Sequence, residues 1–181
     1  EEEKAKFLAD FYESAVNGFT AEVLSKDNYF AIPSEIVSSD LEIEKPKYNL
    51  GVGGEPYRKQ VGIMTKEIIK ILQQEKPDVV LVQGDTISVL AGALAANKLG
   101  IKVGHQEAGL RSHDITMLEE INRVITDHIS DYLFTPTPDA LKNLHQEGRE
   151  PEKIHFTGNT IVDAVYQNLE IAEKKVNILE K

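Results

Sequence analysis

Cysteine is absent from the 181 residues, which excludes disulfides, thiolate nucleophiles and thiolate metal sites together. Positive charge is scarce. Only 20 Lys and Arg stand against 30 Asp and Glu, for a formal charge of −10. That balance argues against non-specific nucleic-acid binding, which draws most of its affinity from neutralising phosphates. A local basic site for a small phosphate ligand is still compatible with it, and because arginine is rare, Arg111 and Arg123 near suspected loops stand out. No apolar run approaches the ~20 residues of a membrane span. The start EEEKAK has neither the basic opening nor the apolar core of a secretory leader, so the expected compartment is the cytoplasm. Gly/Ser-rich, Pro-rich and repeated polar tracts are also missing. With 41% apolar and 28% charged residues, this is the composition of a globular chain, long enough for one well-buried domain.

From residue 58 onward the pattern is regular. A helical stretch, RKQVGIMTKEIIKILQQEK, leads through Pro77 and Asp78 into VVLVQ, a β-branched run that reads as a buried strand. An alanine-rich helix, SVLAGALAANKL, stops at Gly100 before the strand IKVGH. The helix LEEINRVITDHIS precedes the strand YLFTP, PDALKNLHQEG precedes IHFTG, and NTIVDAVYQNLEIAEKK is a last helix. Repeated βαβ units of this kind predict a Rossmann-like, doubly wound parallel sheet with right-handed crossovers. Ligands bind such sheets beyond the carboxyl ends of the strands. There the sequence places QGDT (83–86), HQEAGLR (105–111), TPT (135–137) and TGNT (157–160). The first 50 residues are less regular, with a helix expected over 4–19, a strand over 20–24 and an extended piece over 31–37. NLGVGGEPY (49–57) is glycine-rich but lacks the GK[ST] of a P-loop and a strand–helix setting, and it reads as a plain turn.

Three carboxylates carry the chemical reading: Asp85, Glu107 and Glu119. The first two follow adjacent strands in the same sense, and the third begins the next helix. On that helix Glu119, Asn122, Arg123 and Thr126 form a polar stripe opposite Leu118, Ile121, Ile125 and Ile129, with Glu119 and Arg123 spaced for an ion pair. Taken alone, the stripe reads as a solvated helix face, and Asp85 as a cap of the helix after GDT. Glu107 has no such plain explanation, since glutamate is neither a turn former nor a common cap. Carboxylates gathered at a half-buried rim raise one another's pKa values and serve as general acids and bases near neutral pH. His105 with three carboxylates raises the question of a metal, but no HExxH or DxD spacing supports one.

In order and spacing, VVLVQGDT, GIKVGHQEAGLRS, EEINRVITDHISDYLFTPT and FTGNTIVDAV resemble the non-hydrolysing UDP-N-acetylglucosamine 2-epimerase family, as does KYNLGVGG ahead of them. The likeness runs over about residues 47–170. It implies the amino-terminal Rossmann-like half of a glycosyltransferase-B-like fold. It also implies interconversion of UDP-GlcNAc and UDP-ManNAc by anti elimination of UDP and re-addition through a 2-acetamidoglucal. Carried over by motif, Asp85, Glu107 and Glu119 are acid/base residues, Arg123 stabilises charge, and His105, Arg111 and Asn122 support the site. No metal or nicotinamide cofactor is implied.

Several features depart from the family pattern. Residues 1–50 match poorly and lack the family's first strand and GTRPE-like loop, whereas residues 51–181 read as the catalytic-half domain. The resemblance leads us to expect that this stretch does not include the family's second, UDP-binding domain. Leu118 stands where the family has proline, Gln106 where it has valine, and Ile87 where it has a polar residue. The expectation is therefore an epimerase domain that is incomplete by itself and needs its carboxy-terminal domain or a partner chain, with homodimerisation anticipated. Two other readings stay open: a non-catalytic module that binds a nucleotide-sugar or a partner, and a hydrolysing epimerase that releases ManNAc.

Overall fold

The computed structural model describes Tyr48, residues 50–52 and residues 56–175. The expected helix over 4–19, the segments 20–24 and 31–37, and the question of the first strand lie outside the described residues. The described part is built from α1 (Tyr57–Glu75), β1 (Val79–Gln83), α2 (Ile87–Lys98), β2 (Lys102–Gln106), α3 (Leu118–Ile129), β3 (Tyr132–Thr135), α4 (Pro138–Gln146), β4 (Ile154–Phe156) and α5 (Thr160–Lys175). This is the alternation read from the sequence. Local chemistry ends the elements where expected: Lys76 closes α1 in a left-handed conformation, its N–H on the Leu72 carbonyl. α4 opens on Thr137, whose hydroxyl accepts from Ala140 N, with Pro138 as the first helical residue.

The four strands form one parallel sheet in the order β1-β2-β3-β4. Val80 lies opposite Val103, Gly104 opposite Tyr132, and Leu133 opposite Ile154. Pairing continues one step beyond the strand ends. Gly84 N donates to Gln106 O (3.1 Å), Ala108 N to Phe134 O (3.0 Å) and Thr157 N to Thr135 O (3.1 Å). The loops that follow the strands thus leave the same end of the sheet as a row tied by backbone hydrogen bonds, on the rim where α/β sheets bind ligands.

The largest apolar cluster joins Leu72 of α1, Val80 and Val82 of β1, Val89 and three alanines of α2, and Val103 of β2. Small residues let α2 lie close to the sheet; a Cβ added at Gly92 would stand 3.3 Å from Val82. Val52, from the glycine-rich segment, packs with Met64, Ile87 and Ala91. A third cluster, Ala108, Leu133, Leu144 and Ile154, seats α4 on β3 and β4.

Helix α3 reverses its expected orientation. Its polar side is inward, with Glu120, Asn122, Thr126 and Asp127 buried, while Leu118, Ile121 and Ile125 of the apolar stripe are exposed. Burying so many polar groups is tolerable only when each is hydrogen-bonded, which is the case here. Among the described residues no helix is long and apolar enough to cross a membrane, and no group of three His, Asp or Glu is placed to hold a metal ion.

Candidate active site

The loop after β1 turns at Gly84 (φ 80°) and presents Asp85. Thr86, not Asp85, takes the cap position of α2, and its hydroxyl shares a hydrogen bond with Ser88 Oγ at 2.8 Å. The capping explanation of Asp85 therefore fails. Its carboxylate pairs with Arg123 Nη2, and its carbonyl accepts from Asn122 Nδ2 at 2.9 Å. Helix α3 thus grips Asp85 from two positions one residue apart.

Arg123 also donates through Nη1 to Glu120 Oε2 at 2.8 Å. The ion pair expected with Glu119 is made instead with Glu120. One residue is a rotation of about 100° around a helix, which carries Glu120 inward and leaves Glu119 exposed on the first turn. Glu120 accepts from Ser112 N (2.9 Å), Ser112 Oγ (3.0 Å) and His113 N (3.1 Å) as well. Burial alone would raise its pKa, but these donors and Arg123 outweigh that and hold the carboxyl below its ordinary range. Glu120 ties the loop between β2 and α3 to the helix.

Glu107, the first residue after β2, has φ 67°. A left-handed conformation at a non-glycine residue costs roughly 1–2 kcal/mol, and residues held in it cluster at functional sites. Gln83 Nε2 donates to Glu107 Oε1 at 3.1 Å. Oε2 lies 3.9 Å from where a Cβ on Gly84 would stand, so the carboxylate is beside Gly84, one residue from Asp85. Two residues on, Gly109 (φ 81°) is wedged against α4, where an added Cβ would fall 2.3 Å from the Ala140 carbonyl oxygen.

His105 and Arg111 lie beneath this rim. The His105 side chain is 0% exposed; its Nε2–H donates to Gly84 O at 2.8 Å, and Nδ1 is 2.6 Å from Asp127 Oδ1. Asp127, also fully buried, accepts from Gly109 N at 3.0 Å and pairs with Arg111 Nη2 at 2.7 Å. The Arg111 side chain is 2% exposed and also pairs with Glu147 at 2.7 Å. Burial pushes the Asp127 carboxyl up, yet His105 and Arg111 together hold it below the usual range. Glu120 and Asp127 escaped the sequence reading. Their signal was a polar seam at 120, 123 and 127, helical spacing that fits an inward face.

Fold and rim together define a Rossmann-like α/β domain that gathers two carboxylates and an arginine at the carboxyl ends of adjacent parallel strands. The family model for UDP-N-acetylglucosamine 2-epimerase matches residues 23–181, and the chain belongs to that family. The match starts well ahead of Lys47, where the motif likeness begins. UDP-N-acetylglucosamine 2-epimerase of Methanococcus maripaludis is 56% identical over 154 residues, covering 85% of this chain and 42% of its own. The solved Methanocaldococcus jannaschii UDP-GlcNAc 2-epimerase in complex with UDP-GlcNAc and UDP superposes with a TM-score of 0.77 at 58% identity, over 81% of this chain and 40% of that one. The Neisseria meningitidis UDP-GlcNAc 2-epimerase bound to UDP-GlcNAc gives 0.72 at 35% identity, over 77% and 39%. The chain therefore spans less than half the length of these relatives.

Proposed function

We propose that this chain carries the acid/base half of a UDP-N-acetylglucosamine 2-epimerase and interconverts UDP-GlcNAc and UDP-ManNAc only when a UDP-holding domain completes the site. The observation that carries the reading is the placement of Asp85 and Glu107 on neighbouring strand ends, with Arg123 paired to Asp85. In the forward step a carboxylate takes the C2 proton while the C1–O bond to UDP breaks and its electron pair leaves with UDP. The C2–H electrons become the C1=C2 bond of a 2-acetamidoglucal. In the return step UDP adds to C1 and a proton is delivered to the opposite face of C2. Inversion at one carbon needs groups on both faces. Asp85 and Glu107 line the strand ends, and Glu119 is on the first turn of α3. Arg123 supplies positive charge near the departing diphosphate, and Asn122 holds the Asp85 backbone. The reading needs no metal or nicotinamide.

Incubation with UDP-GlcNAc in deuterium oxide, followed by proton NMR, tests this. The isolated chain is expected to leave the C2 proton untouched, and a chain extended by the carboxy-terminal region of a close relative is expected to exchange it and form UDP-ManNAc. Exchange by the isolated chain would overturn the incompleteness. Free ManNAc and UDP would indicate the hydrolysing reaction, and ligand binding without exchange in the extended chain would indicate a binding module.

A further inference from the structure

The buried Asp127 is unnecessary for the chemistry just described, and an ion cluster in a core is a poor source of stability compared with apolar packing. Its contacts suggest another use. One carboxylate oxygen faces His105, whose other ring nitrogen holds Gly84 O, the carbonyl immediately before Asp85. The second oxygen accepts from Gly109 N, two residues after Glu107. Both loops are in left-handed backbone conformations, at Gly84, Glu107 and Gly109, and such conformations persist where surrounding contacts over-determine them.

We propose that Asp127 is a positioning residue that clamps the Asp85 loop, through His105, to the Glu107 loop, directly, and so fixes the separation of the two carboxylates. Arg111 and Glu147 anchor the clamp from the α4 side. The clamp rests on the reading of Asp85 and Glu107 as an acid/base pair, but its geometry can be tested without turnover.

The conservative variant gives the sharpest comparison. Asp127→Asn keeps the fork: its Oδ1 can accept from Gly109 N while its Nδ2–H donates to Nδ1 of a His105 ring that keeps Nε2–H on Gly84. Asp127→Ala removes both arms, and Leu72→Ala, in the separate apolar cluster of α1, β1 and α2, serves as a control that lowers stability without touching the clamp. Amide shifts and hydrogen exchange are followed by NMR in the full chain. In Asp127→Ala, amides 84–86 and 107–109 are expected to shift and to exchange at least ~10-fold faster relative to the core strands, as local opening of those loops requires. Asp127→Asn should stay near the parent, and Leu72→Ala should show no selective change there. In the extended, turning-over chain, Asp127→Ala should lower kcat on the order of 10–100-fold with KM little changed, since a misplacement of about 1 Å can cost 10²-fold, and Asp127→Asn should recover most of it. If Asp127→Ala does not fold, a selective loosening of the same amides in Asp127→Asn as large as that in His105→Ala overturns the fork, and near-parental amides support it. Unmoved loop amides in a folded Asp127→Ala overturn the proposal outright. If the extended parent shows no C2 exchange, the epimerase reading fails while the amide comparison still decides the clamp.

Discussion

Gly109→Ala probes the wedge between the Glu107 loop and α4 in a single methyl group. The added Cβ would lie 2.3 Å from the Ala140 carbonyl oxygen, 2.8 Å from its carbon and 2.9 Å from Leu144 Cγ. Two of those three atoms are helix backbone and cannot swing aside. A left-handed alanine costs about 1–2 kcal/mol, and forcing the loop from the helix adds about 1–3 kcal/mol of overpacking. Retreat of Gly109 would also strain its N–H bond to Asp127 and the Asn143 Nδ2 bond to its carbonyl, 3.0 and 2.9 Å long, worth about 1 kcal/mol each. The sum is roughly 4–7 kcal/mol, a large share of the ~5–15 kcal/mol that stabilises a typical domain. With a urea slope of about 2 kcal/mol/M, the unfolding midpoint should fall by roughly 2–3.5 M. Gly62→Ala is the matched control: it sits inside α1 with nothing within 4 Å of the new Cβ, and alanine should stabilise the helix by about 0.5–1 kcal/mol. A Gly109→Ala midpoint within ~0.3 M of the parent would refute the wedge.

Three further outcomes follow. Leu133→Ala, at a fully buried position in the middle of β3, should cost about 2–5 kcal/mol in urea unfolding; a loss below ~1 kcal/mol would mean that the third cluster collapses around the gap. Lys102 and Asp131 form an ion pair at 2.6 Å, but Asp131 also accepts from Val103 N at 3.0 Å. Lys102→Ala should therefore leave the midpoint unchanged, while Asp131→Ala should lose about 1–3 kcal/mol through the orphaned N–H, and equal losses would contradict this division. Glu120 and Asp127 have depressed pKa values when folded, so their stabilisation is fully present above their ordinary values of 4.5 and 3.8 and is lost as pH falls through the folded values. The midpoint of the parent should drop on acidification below about pH 4, and less steeply in Glu120→Gln; parallel curves would show that Glu120 is not among the groups responsible.

Strands and crossover helices from β1 to β4 were legible because β-branched runs such as VVLVQ and punctuation such as Pro77-Asp78 and Gly100 act locally. Rim geometry was legible too, since a parallel sheet sends Asp85 and Glu107 to one end wherever the helices lie. Helix α3 was not. Its moment is real, but hydrophobicity predicts the buried face only when water is the alternative for the polar one. Here the polar face meets loop N–H groups, Asp85 and a buried histidine, partners up to 38 residues away in the chain. The choice of Glu120 over Glu119 for Arg123 turned on the same inversion. Asp127 was missed for the same reason, because its partners His105, Gly109 and Arg111 become its neighbours only after β2 and α3 have packed.

Consecutive strands are also spatial neighbours throughout this sheet, so distance along the rim follows distance along the chain. Each step is one strand spacing, about 4.8 Å. Asp85 and Glu107 are one step apart, while the TGNT turn after β4 is three steps from Asp85. A change in loop length at one step therefore leaves the spacing of the others to the strand hydrogen bonds. Such a rim can be altered loop by loop, and losing the β4 end would remove its last position while leaving the Asp85–Glu107 pair its own two strands.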